Sequence, residues 1–164
     1  MTGVRTGSEP SIRVLGLGNE ILSDDALGIR VAREAEARFG SGVDVVCSSE
    51  AGFHGMDELL DVSRLVVVDS IQTGAARPGT IYVLDQHAIP PVPCVASHFA
   101  GIFEVLAVAR RLGLGVPAEC VILAVEAADC TTVAGPMYYD VEAAIPMVLE
   151  LIGQILTADA VGML

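Results

Sequence analysis

Short apolar runs alternate along the chain with longer segments of helical periodicity. Residues 65–68 read Leu-Val-Val-Val with no polar residue between them, which is typical of a strand buried on both faces of a parallel sheet. From Leu27 to Phe39 an apolar residue instead recurs at every fourth position, and Gly40 follows as a helix stop. Patterns of the first kind predict strands at residues 12–17, 43–47, 65–68, 81–84 and 120–125. Patterns of the second kind predict helices at residues 27–39, 56–61, 99–112 and 141–156.

This order of elements predicts the fold class. Strands that alternate with helices favour an α/β three-layer sandwich, in which helices flank a mostly parallel twisted sheet. The 164 residues suit a single domain over 1–164, with a core at about residues 12–156 and flexible tails at 1–10 and 157–164.

Prolines and a serine mark two boundaries within this core. Residues 90–93, Pro-Pro-Val-Pro, predict a loop of restricted conformation, and Ser97 is suited to cap the helix that follows it. Pro146 falls inside the last predicted helix, where it either kinks the helix or opens its longer half.

Composition narrows the possible partners. Nine Lys and Arg against 21 Asp and Glu give a net charge of −12, which disfavours binding to nucleic acid or to anionic membranes. No apolar run is long enough to span a bilayer, and the first ten residues do not resemble a secretory signal. The four cysteines lack the spacing of a zinc site. We therefore expect a cytoplasmic monomer with reduced thiols.

Acidic residues follow several of the predicted strands. Asp24 and Asp25 come after the first strand, Glu50 after the second, Asp69 at the end of the third and Glu126 at the end of the fifth. These positions converge at the carboxyl edge of a parallel sheet. Because carboxylates in one cleft repel each other unless a cation or a proton lies between them, the pattern favours a metal.

Each candidate also has a structural interpretation. Together with Ser23, Asp24 and Asp25 are suited to cap the first helix and to offset its dipole. Asp69 is harder to explain in that way, because a carboxylate that ends a Val-rich strand is partly desolvated and needs a partner. His98 is either a metal ligand or a surface residue. The weaker candidates, which are more often solvated or structural, are Glu50, Glu126, His54 and His87.

Motifs for organic cofactors and for built-in nucleophiles are absent. The turn Gly16-Leu17-Gly18 lacks the third glycine of a dinucleotide-binding loop, because Ile21 occupies that position. The sequence also lacks a phosphate-binding P-loop, a GxSxG elbow and an HExxH helix, and no cysteine has a nucleophile signature. We expect no organic cofactor.

Four segments, in order, carry a resemblance to a known family. Residues 15–28 read LGLGNEILSDDALG, residues 55–60 read GMDELL, residues 65–70 read LVVVDS and residues 97–101 read SHFAG. This set resembles the hydrogenase maturation endopeptidases, which process the large subunit of nickel–iron hydrogenases. The ordered match extends over roughly residues 12–156.

The resemblance implies an activity and a site. In that family an acid in the first motif, the Asp at the end of the third strand and the His before the later helix bind nickel, and they correspond here to Asp25, Asp69 and His98. The implied enzyme is an aspartyl endopeptidase-like protease. It recognises nickel already installed in the precursor of the large subunit and then removes a short C-terminal extension. Nickel is therefore supplied by the substrate.

The donor set agrees with this implication. Two carboxylates and one imidazole suit a borderline divalent metal and leave coordination positions open for substrate. The metal then either polarises the scissile carbonyl or activates water, while Asp25 or Asp69 handles a proton.

Departures from the family pattern bear on substrate choice. Ala26 stands where the family usually has Gly, and residues 50–52 read Glu-Ala-Gly where Asp-Gly-Gly is common. Phe53 and His54 in the same loop are also unusual, so the sequence leaves the cognate hydrogenase open. The alternative function is a non-catalytic nickel-binding assembly protein on the same fold, whose ligands serve only for docking.

Overall fold

The computed structural model describes residues 11–50, 53–87 and 93–158. Five strands form one sheet in the order β2-β1-β3-β5-β4, and every neighbouring pair is parallel except the antiparallel pair β4–β5. The strands are β1 Ile12–Leu17, β2 Asp44–Ser48, β3 Arg64–Ile71, β4 Ile81–Asp85 and β5 Glu119–Glu126. The helices are α1 Leu27–Phe39, α2 Met56–Leu59, α3 Pro93–Arg111 and α4 Tyr139–Thr157, and a 3-10 turn at Ser23–Ala26 leads into α1.

The core lies in two layers, one on each face of the sheet. On one face α2 and α3 pack against the sheet, and on the other α1 and α4 do so. The central strand β3 contributes to both layers, because Leu65 and Val67 belong to the first and Val66 and Val68 to the second. The predicted three-layer α/β sandwich with its mostly parallel sheet is therefore confirmed, as is the fully buried third strand.

A close approach between α1 and the sheet explains one glycine of the first motif. A Cβ atom at Gly28 would lie 2.1 Å from the carbonyl oxygen of Leu17 and 2.4 Å from that of Val68. Backbone atoms cannot move aside as a flexible side chain does, so only glycine fits where α1 begins against β1 and β3. This contact places the start of α1 at the carboxyl edge of the sheet.

The beginning of α3 differs from the prediction. The helix starts at Pro93, six residues before the predicted 99, so Ser97 lies inside the helix and not at its N-cap position. Proline is well tolerated in the first turn of a helix, where its missing N–H has no intrahelical acceptor. The rest of the predicted loop at 90–93 lies outside the described residues.

The last helix is continuous and contains its proline. It begins at Tyr139 and continues on both sides of Pro146, so Pro146 does not open a separate half. The predicted tails at 1–10 and 157–164 lie outside the described residues, except that Thr157 ends α4 and Ala158 follows it as the C-cap. None of the helices in the described part of the chain is both long and apolar enough to cross a membrane.

Candidate functional site

A cavity of about 460 Å³ opens at the carboxyl edge of the sheet. Its walls come from the loops that follow β1, β2 and β5, from the end of β3 and from α3. The side chains around it that carry chemistry are Asp25, Glu50, Asp69, Ser70, His98 and Cys130. The three predicted site residues, Asp25, Asp69 and His98, are thus brought together in one cavity from three separate elements.

Asp69 lies near the end of β3 and is largely buried, with 13% of its side chain exposed. Its Oδ1 atom accepts the backbone N–H of Ser70 at 2.8 Å, and its Oδ2 atom lies 3.9 Å from Nε2 of His98. The second distance suits an ion pair but is too long for a hydrogen bond. Among the described residues, the Ser70 N–H is therefore the one close donor to Asp69 besides the histidine that faces it across the cavity.

The two members of this pair influence each other's ionisation. Burial raises the pKa of Asp69, and the interactions with His98 and with the Ser70 N–H offset this rise only in part. The interaction with Asp69 raises the pKa of the half-exposed His98 imidazole by more than burial lowers it. A carboxyl group and an imidazole with raised pKa values, side by side in a cavity, are suited to hold and transfer a proton.

Asp25 lies in the 3-10 turn that leads into α1. Its Oδ1 atom accepts the hydroxyl of Ser70 at 3.2 Å, and its carbonyl oxygen accepts the N–H of Asn19 at 3.2 Å. Gly18 has a φ of 142°, and a Cβ atom there would lie 1.9 Å from that same carbonyl oxygen. The loop after β1 therefore folds tightly against Asp25, and this contact requires glycine.

Asp24, the neighbour of Asp25, has a structural role. It is fully buried and accepts three backbone N–H groups, those of Ala128, Asp129 and Tyr138, at 2.6–2.9 Å. These hydrogen bonds hold the loop between β5 and α4 against the turn that leads into α1. No side chain caps either the 3-10 turn or α1, so the predicted capping role of Ser23, Asp24 and Asp25 is wrong.

Glu126 is also held by structural hydrogen bonds. It is 1% exposed and accepts four of them, from the N–H and hydroxyl of Thr73, the N–H of Gly74 and the hydroxyl of Tyr82. Burial raises the pKa of Glu126, but these donors lower it by more, and the pKa lies below its usual value. The structural interpretation of Glu126 is therefore the better one.

The remaining candidates divide by position. Glu50 is exposed and lines the cavity, whereas His54 and His87 are exposed and lie outside its lining residues. No group of three or more His, Cys, Asp or Glu side chains within residues 11–50, 53–87 and 93–158 is gathered closely enough to hold a metal ion. The roles of Asp25, Asp69 and His98 as catalytic residues and nickel ligands remain predictions.

Two cavity residues were not found from the sequence. Ser70 is buried near the end of β3. The one signal for it in the sequence was a polar residue directly after Asp69. Cys130 lies 60 positions further along the chain, yet its Sγ atom is 3.6 Å from the Ser70 hydroxyl oxygen. Burial and the nearby carboxylates raise the pKa of the Cys130 thiol to about 11, so the thiol is a poor nucleophile at neutral pH.

Comparison with known proteins gives one family. Residues 29–155 match the family model described as hydrogenase maturation protease. Among curated relatives, the hydrogenase expression/formation protein HupM of Azotobacter chroococcum mcd 1 is 28% identical over 151 residues, which are 89% of this chain and 71% of the relative. The hydrogenase 2 maturation protease of Escherichia coli K12 is 28% identical over 106 residues, or 62% of this chain and 65% of the relative.

Solved structures agree in fold. The hydrogenase maturating endopeptidase HybD from E. coli superposes with a TM-score of 0.72 at 24% identity and covers 91% of this chain and 93% of that chain. The [NiFe] hydrogenase maturation protease HybD from Thermococcus kodakarensis gives a TM-score of 0.64 at 20% identity, with coverages of 89% and 99%. These similarities support the same three-layer architecture.

Proposed function

The chain belongs to the hydrogenase maturation protease family, and we propose that it removes a C-terminal extension from the nickel-loaded precursor of a nickel–iron hydrogenase large subunit. One observation carries the proposal: Asp25, Asp69 and His98, from three different elements, surround one cavity at the carboxyl edge of the sheet. A peptide-bond hydrolase needs a water-activating base and a means of placing the scissile bond beside it. The cavity offers groups for both tasks.

Nickel enters this reaction as part of the substrate. The precursor holds the metal with its own ligands, and the two carboxylates and the imidazole add oxygen and nitrogen donors that suit a borderline divalent ion. Contact with the metal then brings the tail of the precursor next to Asp25 and Asp69. Proximity of this kind lowers the barrier without a nucleophilic side chain in the protease.

The chain's own residues perform the proton transfer. A carboxylate of the cavity takes a proton from the attacking water, and a protonated group returns a proton to the leaving amine. The 3.9 Å between Asp69 Oδ2 and His98 Nε2 leaves the pair facing each other without a closed hydrogen bond. Both side chains also line the cavity.

We propose further that the protein acts as a cytoplasmic monomer. A single chain supplies the two carboxylates and the imidazole of the proposed site, Asp25, Asp69 and His98. Light scattering of the purified protein measures its mass, and a dimer that is required for cleavage would contradict this part of the proposal.

The deciding experiment supplies the protein with nickel-free and nickel-loaded forms of the same precursor. The C-terminal tail is followed by mass spectrometry, and we expect cleavage of the loaded form only. The matched control is His98→Ala with the loaded precursor, which we expect to remain folded and inactive.

The other outcomes decide against parts of the proposal. Equal cleavage of both precursor forms would exclude nickel as the recognition element. Nickel-dependent binding without cleavage would favour the assembly protein.

A further inference from the structure

One buried residue contacts both carboxylates of the cavity. Ser70, 4% exposed, donates its backbone N–H to Asp69 Oδ1 at 2.8 Å and its hydroxyl to Asp25 Oδ1 at 3.2 Å. Asp25 and Asp69 lie 44 positions apart on different elements, the 3-10 turn and β3. Ser70 is thus a direct link between them.

The direction of the hydroxyl hydrogen bond follows from its two neighbours. A hydroxyl has a single proton to donate, and an ionised carboxylate can only accept. The Ser70 proton therefore goes to Asp25, which leaves the hydroxyl oxygen to accept from the thiol of Cys130, 3.6 Å away. Burial keeps the pKa of that thiol high, at about 11, so its proton is present at neutral pH. The result is a chain from Cys130 through Ser70 to Asp25.

The same contacts determine which carboxylate atoms remain for chemistry. With Oδ1 of each aspartate held by Ser70, Oδ2 of Asp69 is left facing His98. Loss of the Ser70 hydroxyl would free the Asp25 side chain to rotate while leaving the backbone contact to Asp69 intact.

We propose that Ser70 is a positioning residue for peptide-bond cleavage: it fixes the orientation of Asp25 relative to Asp69, and the Cys130 thiol orients its hydroxyl. This inference rests on the proposed function, because it assumes that the two aspartates act together on the substrate. Hydrogen-bond partners that orient metal ligands typically contribute about 10- to 100-fold to activity, and Asp25 is a predicted nickel ligand.

Ser23 provides a matched control. It is also buried, at 8% exposed, and its hydroxyl donates to a carbonyl oxygen, that of Pro136, at 2.9 Å. Truncation to alanine removes the same atom from both serines and breaks a hydrogen bond in each case. Only at Ser70 does that hydrogen bond end on a carboxylate of the cavity.

The experiment compares Ser70→Ala, Ser70→Thr and Ser23→Ala with the nickel-loaded precursor, and it measures kcat, KM and the thermal midpoint Tm separately. We expect Ser70→Ala to lower kcat by about 10- to 100-fold with little change in KM. Ser70→Thr, which keeps the hydroxyl, should recover most of that loss. Ser23→Ala should lower Tm and leave kcat unchanged.

Further variants separate the possible outcomes. If Ser70→Ala is too unstable to assay, Ser70→Val is compared with Ser70→Thr, because the two side chains have the same shape and only threonine keeps the hydroxyl. Ser70→Val should then show the fall in kcat. Cys130→Ala should have a smaller effect than Ser70→Ala, and Cys130→Ser should restore the wild-type rate. Wild-type kcat in Ser70→Ala, or equal losses of kcat in Ser70→Ala and Ser23→Ala, would overturn the inference.

Asp69→Asn distinguishes this failure from failure of the proposed function. If Asp69→Asn loses cleavage but Ser70→Ala keeps it, only the positioning role is wrong. If Asp69→Asn cleaves at the wild-type rate, the proposed site is wrong, and the positioning role falls with it.

Discussion

Two buried carboxylates near the carboxyl ends of neighbouring strands have opposite surroundings. Glu126 ends β5, pairs in register with Ile71 of β3, and accepts four hydrogen bonds. Asp69 lies two residues before Ile71, accepts one backbone N–H and faces His98 at 3.9 Å. Burial penalises the charged form of both, yet the pKa of Glu126 is lowered and that of Asp69 is raised. Glu126 accepts more hydrogen bonds than Asp69, and together they lower its pKa by more than burial raises it.

The donors to Glu126 show what it stabilises. Thr73 and Gly74 lie between β3 and β4, and Tyr82 lies in β4, so one carboxylate ties this connection and the antiparallel edge strand to β5. A carboxylate so fully hydrogen-bonded has little capacity left for substrate. Asp69 lines the cavity, and its Oδ2 atom faces His98 without a close hydrogen-bond donor there.

The largest expected effect is on catalysis and concerns Asp69. Asp69→Asn keeps the shape of the side chain but removes its charge and its ability to take up a proton. We expect cleavage of nickel-loaded precursor to fall by about 10²- to 10⁴-fold, the range typical for loss of an acid–base group. Mass spectrometry of the released tail measures the rate, and circular dichroism checks the fold. A folded Asp69→Asn protein with wild-type activity would remove the distinction between the two carboxylates.

The second prediction concerns the structural member. Glu126→Ala leaves the N–H groups of Thr73 and Gly74 and the hydroxyl of Tyr82 without their buried acceptor. Because an unsatisfied buried group costs about 1–3 kcal/mol, and of these donors the Tyr82 hydroxyl is the buried one, we expect the free energy of unfolding in urea to fall by about 1–3 kcal/mol. The rate of cleavage per folded molecule should not change.

A carboxylate in an exposed ion pair provides a control for this variant. Glu142 is 48% exposed, and its Oε1 atom lies 2.7 Å from Nη1 of Arg30, which is 44% exposed. Because such exposed pairs contribute little, Glu142→Ala should cost less than about 1 kcal/mol. Equal losses in the two variants would show that the hydrogen bonds of Glu126 carry no special weight.

The pH dependence of the Glu126 contribution has a definite sign. Its folded-state pKa is lower than its unfolded-state value, so its stabilising contribution is complete above the unfolded-state pKa of about 4.3. That contribution is lost as the pH falls through the lower folded-state pKa. The stability difference between wild type and Glu126→Ala should therefore shrink on acidification.

The sequence predicts where the two carboxylates lie, but not the hydrogen bonds that distinguish them. The position of Asp69 follows from the run Leu-Val-Val-Val, because a strand buried on both faces leads to one edge of a parallel sheet. The same rule places Glu126 at that edge. It cannot separate the two, because the donors to Glu126 come from a loop and an edge strand whose paths depend on tertiary packing.

The same limit explains the other differences. Asp24 resembled a helix cap in the sequence, but its partners lie more than 100 positions away, in the loop between β5 and α4. Ser70 and Cys130 likewise meet only in the fold. Ser97 was mistaken for a cap because Pro93 was assigned to a loop, although proline also suits the first turn of a helix.

The smallest expected effect concerns how far ionised Asp69 destabilises the fold. Burial raises the pKa of Asp69 above its unfolded value, so the ionised group destabilises the fold once the pH exceeds both values. His98 opposes this cost while it is charged. The pKa of His98 is also raised, so its stabilising contribution is complete below the unfolded-state pKa of about 6.5 and is lost as the pH rises through the folded-state pKa.

Asp69→Asn should therefore raise Tm slightly at about pH 9 and less, or not at all, at about pH 6. Thermal unfolding at both pH values measures this, with Glu126→Ala, which should lower Tm at both, as the comparison. A lower Tm for Asp69→Asn than for wild type at about pH 9 would show that Asp69, like Glu126, stabilises the fold, and the contrast between the two carboxylates would then be confined to catalysis.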